Sequence, residues 1–296
     1  MELRVLKYFL MAAREENITK AAELLHVTQP TLSRQLMQLE EELGVKLFQR
    51  SNHRIVLTED GIILKQRAQE ILLLADKTKR DFLCKGEELS GEINIGSGEF
   101  QTTKFLSELI ASFRARHPFV RYEIYSGNAG NISDYIERGL LDLGLMMEPI
   151  DIRKYDFIQM PQKEKWGVLV RADSKLADKE SVHPEDLLDT PLITATSDFV
   201  QSRIQKWFGE YSHQTEIVAT GNLLYNQAMM AESNIGIVIC IELSCSYENL
   251  RFIPLYPGLE STSVLAWKKE QIFSPATTAF IEHAEKYVKG ISENKI

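Results

Sequence analysis

One helix in this chain has both of its ends written in the sequence, and it constrains everything before residue 60. Thr28 is an N-cap residue, Pro30 falls in the first turn where a missing N–H costs nothing, and Gly44 stands at the expected C-terminal cap. Between them, Leu32, Leu36, Leu39 and Leu43 line one face, so the helix runs to about Leu43. Before it, Leu3, Leu6, Phe9, Leu10 and Ala13 mark a first helix from Leu3 to Arg14, which Asn17-Ile-Thr19 breaks. Thr19 is read as the cap of a second short helix, Lys20 to Leu25, whose Ala21 and Ala22 permit close packing. His26-Val27-Thr28 is a tight connection. Two short helices joined in this way, the second capped and polar on its outer side, make a helix-turn-helix.

The entrance and outer side of the third helix carry Thr28, Gln29, Pro30, Thr31, Ser33, Arg34 and Gln38. Side chains of these types reach base edges and phosphates when a helix N-terminus enters the major groove. Val45 to Phe48 and Ile55 to Leu57 then read as two strands of a wing with a polar, cationic tip, where Arg50, His53 and Arg54 would meet the DNA backbone or minor groove. A plain helical hairpin is the competing reading. Bulk charge does not decide between them, because residues 1–60 hold eight Lys/Arg against nine Asp/Glu. Distribution does: from Leu24 to Gln38 the one ionic side chain is Arg34, and from Lys46 to Thr58 there are three cations and no acid.

At this point a resemblance becomes specific. Thr19-Lys-Ala21-Ala22, Leu25, Thr28-Gln29-Pro30-Thr31-Leu32-Ser33, Leu39-Glu40, Leu43-Gly44, Leu47-Phe48, Arg50 and Leu57-Thr58 resemble the LysR-type winged helix over nearly its whole length. The resemblance implies that the helix near Gln29 is the recognition helix, with Gln29, Pro30, Thr31, Ser33, Arg34, Arg50 and Arg54 facing DNA. One departure is Asp60 before Gly61, where that family commonly has alanine; an acid is favourable at a helix start.

Thr58, with Glu59 and Asp60 behind it, caps a long helix that is expected to reach about Lys85 and to end at Gly86. Leu64, Ala68, Ile71, Ala75, Thr78 and Phe82 form a heptad seam along it. A helix on the order of 40 Å long outreaches the small winged helix. Either it lies on the C-terminal half or it pairs with a second copy. The resemblance favours pairing, as a homodimer or homotetramer that presents two recognition helices to a near-palindromic double-stranded DNA site.

From Ser90-Gly91 onward, strands and helices alternate, the mark of a parallel sheet covered on both faces. Expected strands are 92–95, 121–125, 141–146, 166–170, 191–194, 216–219, 235–239 and 263–267. Expected helices are 102–116, 132–138, 184–188, 200–208, 223–231 and 275–288. Gly139-Leu-Leu-Asp142-Leu-Gly144 and the order of elements resemble the periplasmic-binding-protein-like effector domain of the same family. The organisation expected is therefore a winged helix over 1–58, a dimerisation helix over 59–89 and a two-lobed α/β effector domain over 90–296. Lobe I takes 91–160 and 269–296, and lobe II takes 161–268. Ligands of such sheets sit beyond the carboxyl ends of strands. The effector candidates are Ser97, Gly98, Glu99, Thr102, Asn128, Met147, Thr196, Ser197, Phe199 and Asn222, although residues of these types, taken singly, are more often ordinary turn or capping residues than ligand contacts. Glu99 opposes an anion unless it points away or is paired, so the ligand's charge stays open.

Composition narrows the function classes. With a net charge of −8, the 296-residue chain does not bind polyanions by bulk charge. No stretch approaches the roughly 18 apolar residues of a membrane span, and the start lacks the basic region and cleavage site of a signal peptide, so a cytoplasmic location is expected. Cys84, Cys240 and Cys245 have no metal-ligand spacing; no metal or cofactor is expected, and a redox pair of Cys240 with Cys245 is the lesser alternative. Gly96-Ser-Gly98 lacks the lysine and spacing of a phosphate loop, and no catalytic triad or nucleophile elbow is present. A sequence-specific regulator controlled by a small molecule, with RNA polymerase as a further candidate partner, is the expectation. A free solute-binding protein and an enzyme with a regulatory domain are the alternatives from other classes.

Overall fold

The structure is a computed structural model; it describes residues 1–51, 54–83, 88–151, 153–243 and 247–293. The chain divides into two compact units, Met1–Leu83 and Cys84–Ile296.

The first unit holds α1 (Leu3–Glu15), α2 (Ile18–Leu24), α3 (Gln29–Leu43), β1 (Phe48–Ser51), β2 (Arg54–Leu57) and α4 (Glu59–Leu83). Leu6, Phe9, Ala21, Leu32 and Leu39 are almost wholly removed from water and form its core, with Leu47 and Ala68 closing it. Asn17, rather than Thr19, caps α2: its side chain accepts the Lys20 N–H at 3.1 Å, so the helix starts two residues earlier than expected. Both residues are good caps, and only the backbone path selects between them. The first wing strand begins at Phe48 and not at Val45, because the Val45 N–H is taken up in closing the end of α3, donating to the Glu40 carbonyl at 3.2 Å. β1 and β2 pair antiparallel, Phe48 opposite Leu57 and Ser51 opposite Arg54. Thr58 caps α4 as expected, its hydroxyl accepting the Gly61 N–H at 3.0 Å. Gly61 is required by close approach, since a Cβ there would stand 2.2 Å from the Leu47 carbonyl oxygen.

The heptad reading of α4 needs correction. Ala68 is buried in the unit's own core, with Leu64 and Ile71 packed against the same cluster. The first half of that face is covered within the unit, while Ala75 is half-buried and Thr78 exposed. Among the described residues, the large apolar side chains that α4 leaves exposed are Ile62, Ile63, Leu73 and Leu74. A helix periodicity shows which residues share a face but not what covers it. The side chain of Phe82 and the expected stop at Gly86 lie outside the described residues.

The second unit runs β3 (Ser90–Ser97), α5 (Thr102–Arg116), β4 (Phe119–Ser126), α6 (Ala129–Glu137), β5 (Leu143–Met147), β6 (Tyr155–Arg171), β7 (Pro191–Ala195), α7 (Asp198–Phe208), β8 (Glu216–Gly221), α8 (Leu224–Glu232), β9 (Ile237–Ile241), β10 (Leu250–Pro254), β11 (Glu260–Lys268) and α9 (Pro275–Glu293). The strand order is β4-β3-β5-β11-β6-β9-β7-β8, with β10 added beside β6. β3 is parallel to β4 and β5, and β7 is parallel to β8 and β9, so each half is a β-α unit of the expected kind. The expected helix at 184–188 is a single 3-10 turn, Pro184–Leu187.

Two long strands join the halves. Tyr155 to Lys165 of β6 pairs with β11, and Trp166 to Arg171 continues beside β9 and β10. Ser263 to Ala266 of β11 pairs with β5, so this strand belongs to the first lobe's sheet and not, as expected, to the second. The first lobe's core joins Ile93, Ile95, Leu106, Leu109, Leu265 and Phe280 across β3, α5, β11 and α9. The second lobe's core joins Val168, Leu192, Ile204, Phe208 and Ile239.

Candidate nucleic-acid interface and ligand cavity

In the first unit, the residues between Thr28 and Gln38 divide by face. Leu32 and Leu36 point inward and are buried; Thr28, Gln29, Pro30, Arg34 and Gln38 are exposed, and Thr31 and Ser33 are half-buried. Thr28 stands at the N-cap of α3, but its hydroxyl does not cap the backbone; it hydrogen-bonds the Thr31 hydroxyl at 2.8 Å. Gln29 donates to Ser33 at 2.8 Å, and Gln35 donates to Gln38 at 3.1 Å. These side chains tie one another into a polar surface along the first turns of the helix. Arg34 forms no ion pair among the described residues. Arg54 does: it lies 3.6 Å from Glu16, at the end of α1, which also takes the Ile55 N–H on its carbonyl at 3.1 Å. Arg50 is placed on β1, its side chain outside the described residues, as is His53 altogether.

Glu40 is a structural residue that sequence reading missed. It counts among the acids at the far end of α3, yet it is 9% exposed. Its carboxylate accepts the N–H of Leu47 at 2.8 Å and of Phe48 at 3.3 Å, and the Lys46 ammonium at 2.7 Å. Burial works to raise its pKa, but the hydrogen bonds from Lys46, Leu47 and Phe48 prevail and hold it below the ordinary value. Glu40 thereby fastens the root of the wing to the recognition helix.

In the second unit, a cavity of about 470 Å³ opens between the two lobes. Gly98, Glu99, Asn128 and Met147 line it from the first lobe, and Thr196, Ser197, Phe199 and Asn222 from the second. Ser97 and Thr102 do not line it. Ser97 is buried, its hydroxyl donating to the Gly98 carbonyl at 2.8 Å. Thr102 is wholly buried at the start of α5 and donates to the Glu164 carboxylate while accepting from Ser263 at 3.0 Å. Both residues sit one step behind the wall, because a strand end and a helix start turn alternate side chains inward.

Much of the wall is apolar: Phe100, Met146, Pro149, Trp166, Leu224 and Ile241 were not singled out by sequence, since apolar residues carry no motif. Trp166 is oriented by its indole N–H, which donates to Ser261 at 2.8 Å. Tyr155 is raised above the ordinary phenol value by burial and by its hydrogen bond to Glu137. Asp151 is drawn down to about 2 by two hydrogen bonds to the Arg153 guanidinium, at 2.9 and 3.0 Å. Cys240 lines the cavity and is buried; Cys84 and Cys245 lie outside the described residues, so no pairing is drawn. Among the described residues no His/Cys/Asp/Glu group is placed to hold a metal, and no helix is long and apolar enough to cross a membrane.

Comparison with known proteins falls on the same two units. Residues 3–62 match the model for the bacterial regulatory helix-turn-helix protein, lysR family, and residues 86–289 match the LysR substrate binding domain. The transcriptional regulator IlvY of Escherichia coli (strain K12) is 32% identical over 211 residues, 70% of each chain. YwbI of Bacillus subtilis (strain 168), an uncharacterized helix-turn-helix regulator, is 28% identical over 97% of both chains. Among solved structures, CbnR, a LysR family transcriptional regulator, overlaps with a TM-score of 0.79 at 19% identity, covering 97% of this chain and 99% of its own. The effector binding domain of QuiR in complex with shikimate overlaps at 0.61 and 20% identity, covering 68% of this chain and 99% of its own.

Proposed function

Because this chain belongs to the LysR family of DNA-binding transcriptional regulators, we propose that it reads a specific, near-palindromic site through α3 and the wing, under control of a small molecule held between the lobes of its second unit. The observation that carries the DNA half is the exposed side of α3: Arg34 and Gln38 stand on it together and Gln29 is exposed at the helix start, while Leu32, Leu36 and Leu39 on the opposite side are core. Arg34 supplies a guanidinium fork for a guanine edge or a phosphate, and Gln29 an amide for an adenine edge. Thr28, Pro30, Thr31 and Ser33 bring the helix start close to the backbone. Arg50, His53 and Arg54 act at the wing, and Arg54 must exchange Glu16 for a phosphate to do so. In a unit this close to neutral, affinity comes from a few directed contacts doubled by dimerisation rather than from bulk charge.

Dimer or tetramer formation through α4 is part of the proposal. Ile62, Ile63, Leu73 and Leu74 are the apolar row that a second copy would cover. The cavity, with its apolar wall and a few polar side chains, has the character of a small-molecule site. Gly98, Glu99, Asn128, Met147, Thr196, Ser197, Phe199 and Asn222 are its proposed contacts. Effector binding would shift the balance between two arrangements of the DNA-binding units. A cytoplasmic location and RNA polymerase as a further partner go with this reading.

Footprinting of the full-length protein on the DNA upstream of its own gene tests it. Protection is expected at low salt, and Arg34→Ala should weaken it at least about tenfold, the scale of one good base contact, while ligand-induced thermal shifts are unchanged. Absence of any protected site in the wild type, or unaltered binding by Arg34→Ala, refutes the assignment.

A further inference from the structure

Four helices begin beside the cavity, and the chain's own side chains already occupy most of their N-termini. At α5, the N–H groups of Gln101 and Thr102 donate to the Glu164 carboxylate at 2.9 and 3.2 Å, and Glu164 is wholly buried. At α8, the Leu224 N–H donates to the Glu99 carboxylate, which reaches over from the first lobe. At α6, the Asn131 N–H donates to the Asn128 side chain at 2.9 Å. The fourth helix, α7, carries Asp198 in its first turn. A helix N-terminus is where an α/β sheet ordinarily receives an anion, through free N–H groups and the positive end of the helix dipole. Here two of the positive ends are met by internal carboxylates and a third by an amide; the start of α7 has no side-chain cap, and Asp198 in its first turn is exposed.

Lining charge points the same way. Glu99 is the carboxylate that stands on the wall without a cationic side chain beside it among the described residues. Asp151, the other acidic wall residue, is held by Arg153, and Lys154, the cationic residue of the wall, is exposed to solvent. A ligand carboxylate beside the start of α8 would have to settle near Glu99 or displace it from Leu224, and like charges at short range disfavour both. The rest of the surface is built for apolar and aromatic contact, with Phe100, Tyr155, Trp166, Phe199, Leu224 and Ile241.

We propose that the effector is an uncharged or amine-bearing molecule with an apolar, ring-sized body, and that Glu99 is the residue that excludes carboxylates. The inference rests on the cavity being the effector site, and the experiment separates the two. Dissociation constants of 2-naphthamide, 2-naphthylmethylamine and 2-naphthoate are measured by calorimetry on the full-length protein, on Met147→Trp, which fills the cavity, and on Glu99→Gln. In the wild type, the amide or the amine should bind at least about tenfold tighter than the carboxylate, a difference of about 1.4 kcal/mol. Met147→Trp should abolish binding, and Glu99→Gln should bring the carboxylate to within about threefold of the amide. Naphthoate binding as tightly as the amide, and lost in Met147→Trp, overturns the ligand class while the cavity reading stands. No compound binding in a way that Met147→Trp abolishes overturns the cavity reading itself. Discrimination that persists in Glu99→Gln removes Glu99 from its role; if that variant does not fold, the wild-type comparison still decides the ligand class.

Discussion

Replacing Glu40 by alanine should unfasten the wing from the recognition helix. In the native protein its carboxylate, 9% exposed, accepts the Leu47 N–H at 2.8 Å and the Phe48 N–H at 3.3 Å. A hydrogen bond to a charged group contributes about 1.5–3 kcal/mol, and a buried donor left unmet costs a comparable amount. The Leu47 bond counts in full and the longer Phe48 bond in part, so Glu40→Ala should lose about 3 kcal/mol. Lys46, whose side chain is 76% exposed, is a screened partner, and Lys46→Met should change stability far less. Urea unfolding followed by far-ultraviolet circular dichroism measures the loss, and hydrogen exchange at the Leu47 and Phe48 amides localises it. Trp166, Trp207 and Trp267, the chain's 3 tryptophans, all lie in the second unit, so their fluorescence transition should not move. The linkage with pH has a definite sign. Glu40 is held below its ordinary value of 4.5, so its contribution is complete above about that pH and fades as pH falls through the lowered value. A Glu40→Ala protein within about 0.5 kcal/mol of wild type at neutral pH refutes the argument. So does a Lys46→Met protein that loses as much, since the ion pair and not the backbone donors would then be responsible.

Gly61→Ala places a Cβ 2.2 Å from the Leu47 carbonyl oxygen and 2.9 Å from Leu57, so the start of α4 must move; a loss of about 1–3 kcal/mol in the same urea transition is expected. Tyr122→Phe should stabilise the second unit by up to about 1 kcal/mol by tryptophan-detected unfolding, because the Tyr122 hydroxyl is buried with no hydrogen-bond partner among the described residues. Burial pushes that phenol up to about 12, so its fold-supporting neutral form is present below pH 10 and lost as pH rises through 12; a phenolate absorbance titration should lose one late-titrating group in the variant.

What could be read in advance follows the range of the interactions involved. The ends of α3 were legible because Pro30 and Gly44 act on their own backbone, within one turn, and Thr28 stands at the N-cap although its hydroxyl turns to Thr31. Arg34 and Gln38 were legible as an outer face for the same reason, since helical periodicity is local, and Gln29 as the first residue of the helix. The cap of α2 was misplaced between two equally suitable residues, Asn17 and Thr19. The first half of β6 was missed entirely. Its sequence, Tyr155 to Lys165, is rich in polar residues and contains Pro161, and it becomes a strand because β11, nearly a hundred residues later, lies beside it. The same distant pairing moved residues 263–268 into the first lobe. Glu40, Glu99 and Glu164 look alike as letters, yet one holds a wing, one spans the cavity and one is sealed against α5; only partners far along the chain distinguish them. Eight of ten expected cavity residues reached the wall because strand ends and the turns after them converge in any such sheet.

The crossing pair β6 and β11 also sets a timetable for synthesis. The first unit has its whole core by Leu83 and is free to fold while the rest of the chain is still being made. The first lobe has no such freedom. Its strands β3, β4 and β5 are complete by Met147, but β11 must insert between β5 and β6, and Ala276, Phe280 and Ala284 of α9 must cover Ile93 and Ile95. Until the chain has passed Lys268, β5 presents an open edge, and until it has passed Ala284 the apolar face of β3 lacks its cover. The stretch made earliest in the second unit is therefore among the last to be buried, which makes that interval the period of greatest exposure to misassembly and to chaperones.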